Sequence, residues 1–134
     1  MDNKSIDEKG IKIGIVGLGY VGLPAMLSFH NAGFKVIGID TSEYKINMLK
    51  KMLSPLIDKT DKLIIPVESD NWKITTDYSN SIALCDLIII AVPTPVNNKK
   101  PNLEYIISAG NQIMNNIDKT RKTIVVLEST VYPG

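Results

Sequence analysis

An α/β fold built on a doubly wound, mostly parallel sheet is what this 134-residue sequence predicts, and three observations predict it. An apolar, β-type run, Ile11 to Val16, passes directly into Gly17-Leu18-Gly19-Tyr20-Val21-Gly22 and then into a helical pattern, the G-x-G-x-x-G arrangement of a dinucleotide-binding turn. A second run, Lys35 to Ile39, ends on Asp40, 21 residues after Gly19, close to the offset of about 20 for a carboxylate that binds an adenosine ribose. Five strand-like runs alternate with helical ones, which requires crossover connections and gives a Rossmann-type sheet of expected order 3-2-1-4-5.

The three glycines of the turn serve different ends. Gly17 allows the tight turn, Gly19 lets backbone approach a pyrophosphate, and Gly22 lets the helix pack closely on the sheet. The helix starting near Tyr20 aims its amides and positive dipole end at the loop. It is expected from Val21 to Ala32, with Pro24 tolerated in the first turn, where the amide has no intrahelical acceptor. Lys35 to Ile39 is the second strand, and Thr41 or Ser42 caps a helix to about Leu53 that ends at Ser54-Pro55, with Tyr44, Ile46, Leu49 and Leu53 near one face. Asp40 has a competing reading as a solvated turn residue or a cap of that helix. Between Leu56 and Asn71 only a short helix and loops around Pro66 are expected, before a minor strand at Trp72 to Thr75.

Asp77 opens a short helix through Leu84, and Asp86 to Val92 is a fully buried parallel strand closed by Pro93. Asn102 opens a helix carrying Leu103, Ile106, Ile107, Ile113, Met114 and Ile117 at helical spacing, and Thr123 to Leu127 is the last strand. The sheet is therefore expected to stop before the sixth strand of a complete dinucleotide fold and to leave an edge unpaired. Residues 1–10 are polar and charged and are expected to be a disordered extension, leaving residues 11–134 as one incomplete dinucleotide-binding domain.

Composition narrows the function. With 44% hydrophobic and 22% charged residues and a formal net charge of +1, nothing electrostatic argues for nucleic acid or a membrane surface. No run approaches the roughly 18 apolar residues of a membrane span. One cysteine, Cys85, excludes an internal disulfide, and with one histidine no His/Cys metal cluster is expected. A reduced, cytoplasmic setting fits these counts. His30 reads as a surface or packing histidine, Trp72 as a packing anchor, Tyr105 and Tyr132 as packing residues, with Tyr132 close enough to the cofactor loop that its role stays open, and Lys50-Lys51 and Lys99-Lys100 as short solvated runs.

Three loops leave the carboxyl ends of the strands at the switch point: Gly17 to Gly22, Val92-Pro93-Thr94-Pro95, and Glu128-Ser129-Thr130-Val131-Tyr132-Pro133-Gly134. The first cradles pyrophosphate and the others flank a nicotinamide half, where hydroxyls and backbone groups meet ribose and carboxamide. Their competing reading is ordinary turn chemistry. Together with Gly38-Ile39-Asp40 and the Leu23-Pro24 that follows the glycine turn, these motifs resemble, in order and spacing, those of the UDP-glucose/GDP-mannose dehydrogenase family. The Glu-Ser-Thr-x-Tyr-Pro-Gly form is most similar to members that oxidise UDP-N-acetylglucosamine or UDP-N-acetylmannosamine. The resemblance covers nearly all of Ile11 to Gly134.

It implies NAD as cofactor. Tyr20 and Val21 would contact the pyrophosphate through backbone, Asp40 the adenosine ribose, and Lys45 would stand near that ribose, with an exposed helix lysine as the competing reading. Thr94 and Thr130 would line the cofactor further along, and Thr130 would support catalysis by helping to hold a water. Asp40 repels a 2′-phosphate, and Thr41 and Ser42 supply no neighbouring cation, which favours NAD over NADP. Family chemistry is a four-electron oxidation of a UDP-sugar alcohol to a uronic acid that usually feeds surface polysaccharides, with a thioester-forming cysteine. Cys85 is not expected to be that nucleophile, because it precedes a buried strand. The resemblance places the nucleophile, the sugar domain and a homo-oligomeric interface in longer family members, so this chain is expected to be inactive alone. An alternative is a free-standing NAD(H)-sensing regulatory module, which needs neither later loop.

Overall fold

The computed structural model describes residues 10–56 and 63–128. The elements run β1 Lys12–Val16, α1 Gly22–Asn31, β2 Lys35–Ile39, α2 Glu43–Lys50, β3 Trp72–Thr75, a 3-10 turn Ile82–Leu84, β4 Leu87–Ile90, β5 Val96–Asn97, β6 Lys100–Pro101, α3 Glu104–Asn116 and β7 Ile124–Leu127. Five strands form one sheet in the order β3-β2-β1-β4-β7, every pairing parallel. This is the anticipated 3-2-1-4-5 order, with β7 as its fifth member.

Both faces of the central strands β1, β2 and β4 are covered, which is why those strands are predominantly apolar. Ile13, Ile15, Val36 and Ile89 face a cluster with Leu23 and Met26 of α1, Ile46 and Leu49 of α2, and Trp72. Val16, Ile37, Ile39, Ile88 and Ile90 face the other side, against Ile82, Cys85 and the α3 residues Ala109 and Ile113. Successive residues of one strand enter opposite layers, as the two-residue period requires. At the amino ends of the strands, Asp86 Oδ2 accepts from Lys12 N at 3.0 Å. Arg121 pairs with Asp86 and donates to Ala83 O at 3.1 Å. Among the described residues β7 has one neighbour, β4, and its four side chains are all exposed.

Expectations for three elements need revision. α2 ends at Lys50 rather than Leu53, because Met52 adopts φ +62°. Leu53 N then donates back to Met48 O at 2.9 Å and Met52 N to Leu49 O at 3.0 Å, a Schellman-type stop usually filled by glycine or asparagine. Only Ile46 and Leu49 of the expected α2 face are buried, with Tyr44 and Leu53 exposed. No helix occurs in residues 63–71, and residues 57–62 of the stretch where a short helix was expected lie outside the described residues. The helix after Asp77 contracts to the 3-10 turn, although the Asp77 carboxylate accepts from Ser79 and Asn80 as a cap would. On α3, Ile106, Ala109 and Ile113 turn inward while Leu103, Ile107 and Met114 are exposed.

Candidate cofactor site

The cleft forms where β1, β2 and β4 end together. Gly17 N donates to Ile39 O at 2.8 Å and Ala91 N to Val16 O at 2.7 Å, while Glu128 N donates to Ile90 O at 2.9 Å, so the three loops start from one hydrogen-bonded rim. Gly17 has φ +99°, and a Cβ there would lie 2.8 Å from Ala91 O, so both conformation and space demand glycine. Gly22 does not line the cleft. It lies beneath the loop, where an added Cβ would stand 1.7 Å from Gly17 O, and it sets how closely α1 meets β1. Gly19 is different: a Cβ there meets nothing within 4 Å, although the residue lines the cleft. Nothing among the described residues explains its missing side chain, and the open space is where a ligand's backbone-bound group belongs.

The cleft encloses about 340 Å³ and brings together Gly17, Gly19, Tyr20, Val21, Asp40, Lys45 and Thr94. These are, with Gly22 below and Thr130 outside the described residues, all the residues the sequence nominated. The N-terminus of α1 has no side-chain cap, Val21 standing at that position. Its first-turn amides and dipole are thus available to an anion. Asp40 is buried, 9% exposed, which rules out the solvated-turn reading. The cap of α2 is Ser42, whose Oγ accepts from Lys45 N at 3.2 Å. Lys45 Nζ stands 3.8 Å from Asp40 Oδ2, a loose ion pair that leaves the ammonium at the cleft wall. Thr94 is 6% exposed and Tyr20 59%, the second fitting a residue expected to act through its backbone.

A neighbouring cavity of about 420 Å³ shares Gly17, Asp40 and Lys45 and adds Tyr78, Tyr105 and Ser108. Sequence reasoning assigned no ligand role to these, whereas Glu128, which opens the third loop, lines the first cleft. The available signal was the i, i+3 spacing of Tyr105 and Ser108 on the helix that follows the second loop. Burial, then the Asp40 carboxylate, pushes the Tyr78 phenol up, so it remains a neutral hydrogen-bonding group in the physiological range. The second loop also holds an unforeseen hairpin, Val96 pairing with Pro101 and Asn97 with Lys100. Asn98 and Lys99 both have positive φ, the two-residue turn that fits strand twist, and Asn102 N donates to Pro95 O at 2.6 Å to close its base.

Cys85 lies outside this cleft. It is fully buried, its Sγ donates to Ser81 O at 3.4 Å, and burial pushes the thiol from 9.0 up to about 11. Ellman's reagent at pH 8 is expected to react with the folded chain roughly a hundredfold more slowly than with the urea-unfolded chain, since the thiolate is the nucleophile. Equal rates would contradict this burial. The folded state holds this proton more tightly, so the thiol's contribution to stability is complete below about pH 9 and declines as pH rises toward 11.

Fold and cleft together define a dinucleotide-binding domain of the dehydrogenase type. The sequence model of the UDP-glucose/GDP-mannose dehydrogenase family, NAD binding domain, matches residues 11–134, and the chain belongs to this family and binds NAD. Protein CapL of Staphylococcus aureus is 41% identical over 123 residues, covering 91% of this chain and 27% of CapL. UDP-N-acetyl-D-glucosamine 6-dehydrogenase of Salmonella typhi is 38% identical over 130 residues, covering 96% and 29% of the two chains. A ternary complex of GDP-mannose dehydrogenase from Pseudomonas aeruginosa superposes with TM-score 0.80 at 31% identity, over 91% of this chain and 29% of that one. The chain thus spans under a third of the length of these relatives.

Proposed function

We propose that this chain is the NAD-holding portion of a nucleotide-sugar 6-dehydrogenase that oxidises a UDP-N-acetylhexosamine at its primary alcohol, with two NAD reduced per carboxylate formed. The observation that carries the NAD half is Gly19, a residue on the cleft wall whose absent side chain answers to no neighbour among the described residues. The uncapped start of α1 receives the pyrophosphate, Asp40 the adenosine ribose with Lys45 beside it, and Thr94 lines the far half. NAD supplies the hydride acceptor. The chain's own residues orient it, exclude water from the buried side of Asp40, and reject a 2′-phosphate by charge. In this reading Thr130 holds a water near the reacting carbon.

The N-acetylhexosamine assignment draws on the Glu128 to Gly134 motif and on relatives named for UDP-N-acetyl-D-glucosamine and UDP-N-acetyl-D-mannosamine. The 134 residues do not turn over alone, because their one cysteine is the buried Cys85 with its thiol near 11. A homo-oligomer belongs to the longer protein. A regulatory module is the weaker reading, since the family match runs through the second and third loops. Titration of the chain with NADH and NADPH tests the proposal. NADH is expected to bind at least tenfold more tightly, about 1.4 kcal/mol. Equal affinities, or no binding of either, would sink it. With NAD and UDP-N-acetylglucosamine or UDP-N-acetylmannosamine, no absorbance at the NADH wavelength should develop.

A further inference from the structure

The Asp40 carboxylate makes two contacts that ribose recognition does not require. Oδ2 accepts from Leu18 N at 2.8 Å, a buried bond between residues 22 apart, and Oδ1 accepts from Ser42 N at 2.9 Å. Leu18 is the middle of the tight turn between Gly17 and Gly19, and its side chain is fully buried. Its N–H is directed at the Asp40 carboxylate. Ser42 opens α2. One carboxylate thus joins the glycine turn that follows β1 to the start of the helix that follows β2.

We propose that Asp40 is a positioning residue for the pyrophosphate cradle as well as a ribose contact: its carboxylate holds Leu18 and so keeps the glycine turn in its ligand-bound shape before nucleotide arrives. The reading rests on the cleft being a dinucleotide site. The remaining anchors act on either side of Leu18. Gly17 N is held by Ile39 O, and Leu23 N is held by Gly19 O at 3.1 Å. Between them the peptide carrying the Leu18 N–H has Asp40 as its acceptor. Both roles are compatible, because each carboxylate oxygen has two lone pairs, and one N–H bond per oxygen leaves one site each for the ribose hydroxyls. Lys45 Nζ, at 3.8 Å, is beyond hydrogen-bond distance and does not compete. The same two bonds fix the carboxylate against rotation, so it cannot swing aside for a 2′-phosphate. Neutralising it to admit NADP would therefore loosen the phosphate cradle and impair both cofactors.

Electrostatics and positioning predict opposite signs for one measurement. Removing a negative charge beside an anion site strengthens anion binding if the charge only repels, whereas loss of the tether weakens it. The experiment compares wild type, Asp40→Ala and Asp40→Asn by amide exchange without ligand and by amide-shift titration with inorganic pyrophosphate. In Asp40→Ala, Leu18 exchange relative to Ile89 is expected to rise at least tenfold and pyrophosphate affinity to fall at least threefold. Asp40→Asn, which keeps one acceptor oxygen, should lie between and carries the test if the alanine variant does not fold. Leu18 exchange within twofold of wild type overturns the proposal, as does pyrophosphate binding that is unchanged or tighter. Failure of wild type to bind pyrophosphate and NADH alike would instead count against the dinucleotide reading, with the tether judged by Leu18 exchange.

Discussion

Alanine at Gly22 is expected to lower the thermal midpoint by roughly 10 °C or more and to abolish NADH binding even where the variant remains folded. The added Cβ would stand 1.7 Å from Gly17 O, 2.9 Å from Gly17 C and 3.3 Å from Ile15 Cγ2. The first two are backbone atoms and cannot rotate away. Gly17 is itself fixed by its bond to Ile39 O and by its closeness to Ala91, so the relief must come from α1 lifting off β1. That separation disrupts Leu23 and Met26 in the core, a cost of about 3 kcal/mol or more at the upper end of overpacking effects. It also carries the first-turn amides away from the pyrophosphate. Thermal melting and NADH titration check both parts, and a midpoint within about 3 °C of wild type with unaltered affinity would mean that α1 is not seated as described.

Trp72→Ala is expected to be comparably destabilising but to leave the cleft intact. Trp72 is fully buried at the start of β3, opposite Val36 in the sheet register and edge-on to His30 with ring centroids 5.2 Å apart. Truncation opens a large cavity in the layer that also holds Ile46 and Leu49, at a cost of about 3–5 kcal/mol. Trp72 Nε1 has no hydrogen-bond partner among the described residues. Trp72→Phe therefore removes an unsatisfied donor together with some volume, and is expected to cost under about 1.5 kcal/mol. Urea unfolding of both variants separates packing from polarity. Because β3 begins at the amino end of the sheet, NADH affinity measured well below the midpoint should match wild type. A loss for Trp72→Ala below about 1 kcal/mol would show that α2 and β3 do not depend on this ring.

The legible parts were those in which local signals and burial agreed. The spans of β2 and β3 are as read from Lys35–Ile39 and Trp72–Thr75, and α1 differs from the Val21 to Ala32 reading by one residue at each end, because Gly33 marks the stop after α1 and polar Asp40 and Asn71 bound the strands. The glycine turn and Asp40 were legible from spacing, since a backbone approach and a ribose carboxylate need fixed separations. The end of α2 was not, because Met52 occupies a left-handed position with no glycine to announce it. Nor was the hairpin at Val96 to Pro101, whose turn residue Lys99 lacks the usual propensity. The tether of Leu18 to Asp40 was invisible for another reason: one carboxylate serving two backbone amides 24 residues apart leaves no periodicity. Tyr78 and Tyr105 meet at the second cavity only through the fold.

The central position of β1 bears on how the chain is made. Its partner on one edge, β2, begins at Lys35, while Ile13 on the other edge pairs with Leu87, far along the chain. As the polypeptide leaves the ribosome, β1, β2 and β3 are complete once Thr75 has emerged, yet Ile13, Gly14, Ile15 and Val16 still present an open ladder. At about 5–20 residues per second, β4 follows on the order of a second later. During that interval a nascent chain carries its central strand half-paired, and an encounter with a holdase or with a neighbouring nascent chain is most consequential then.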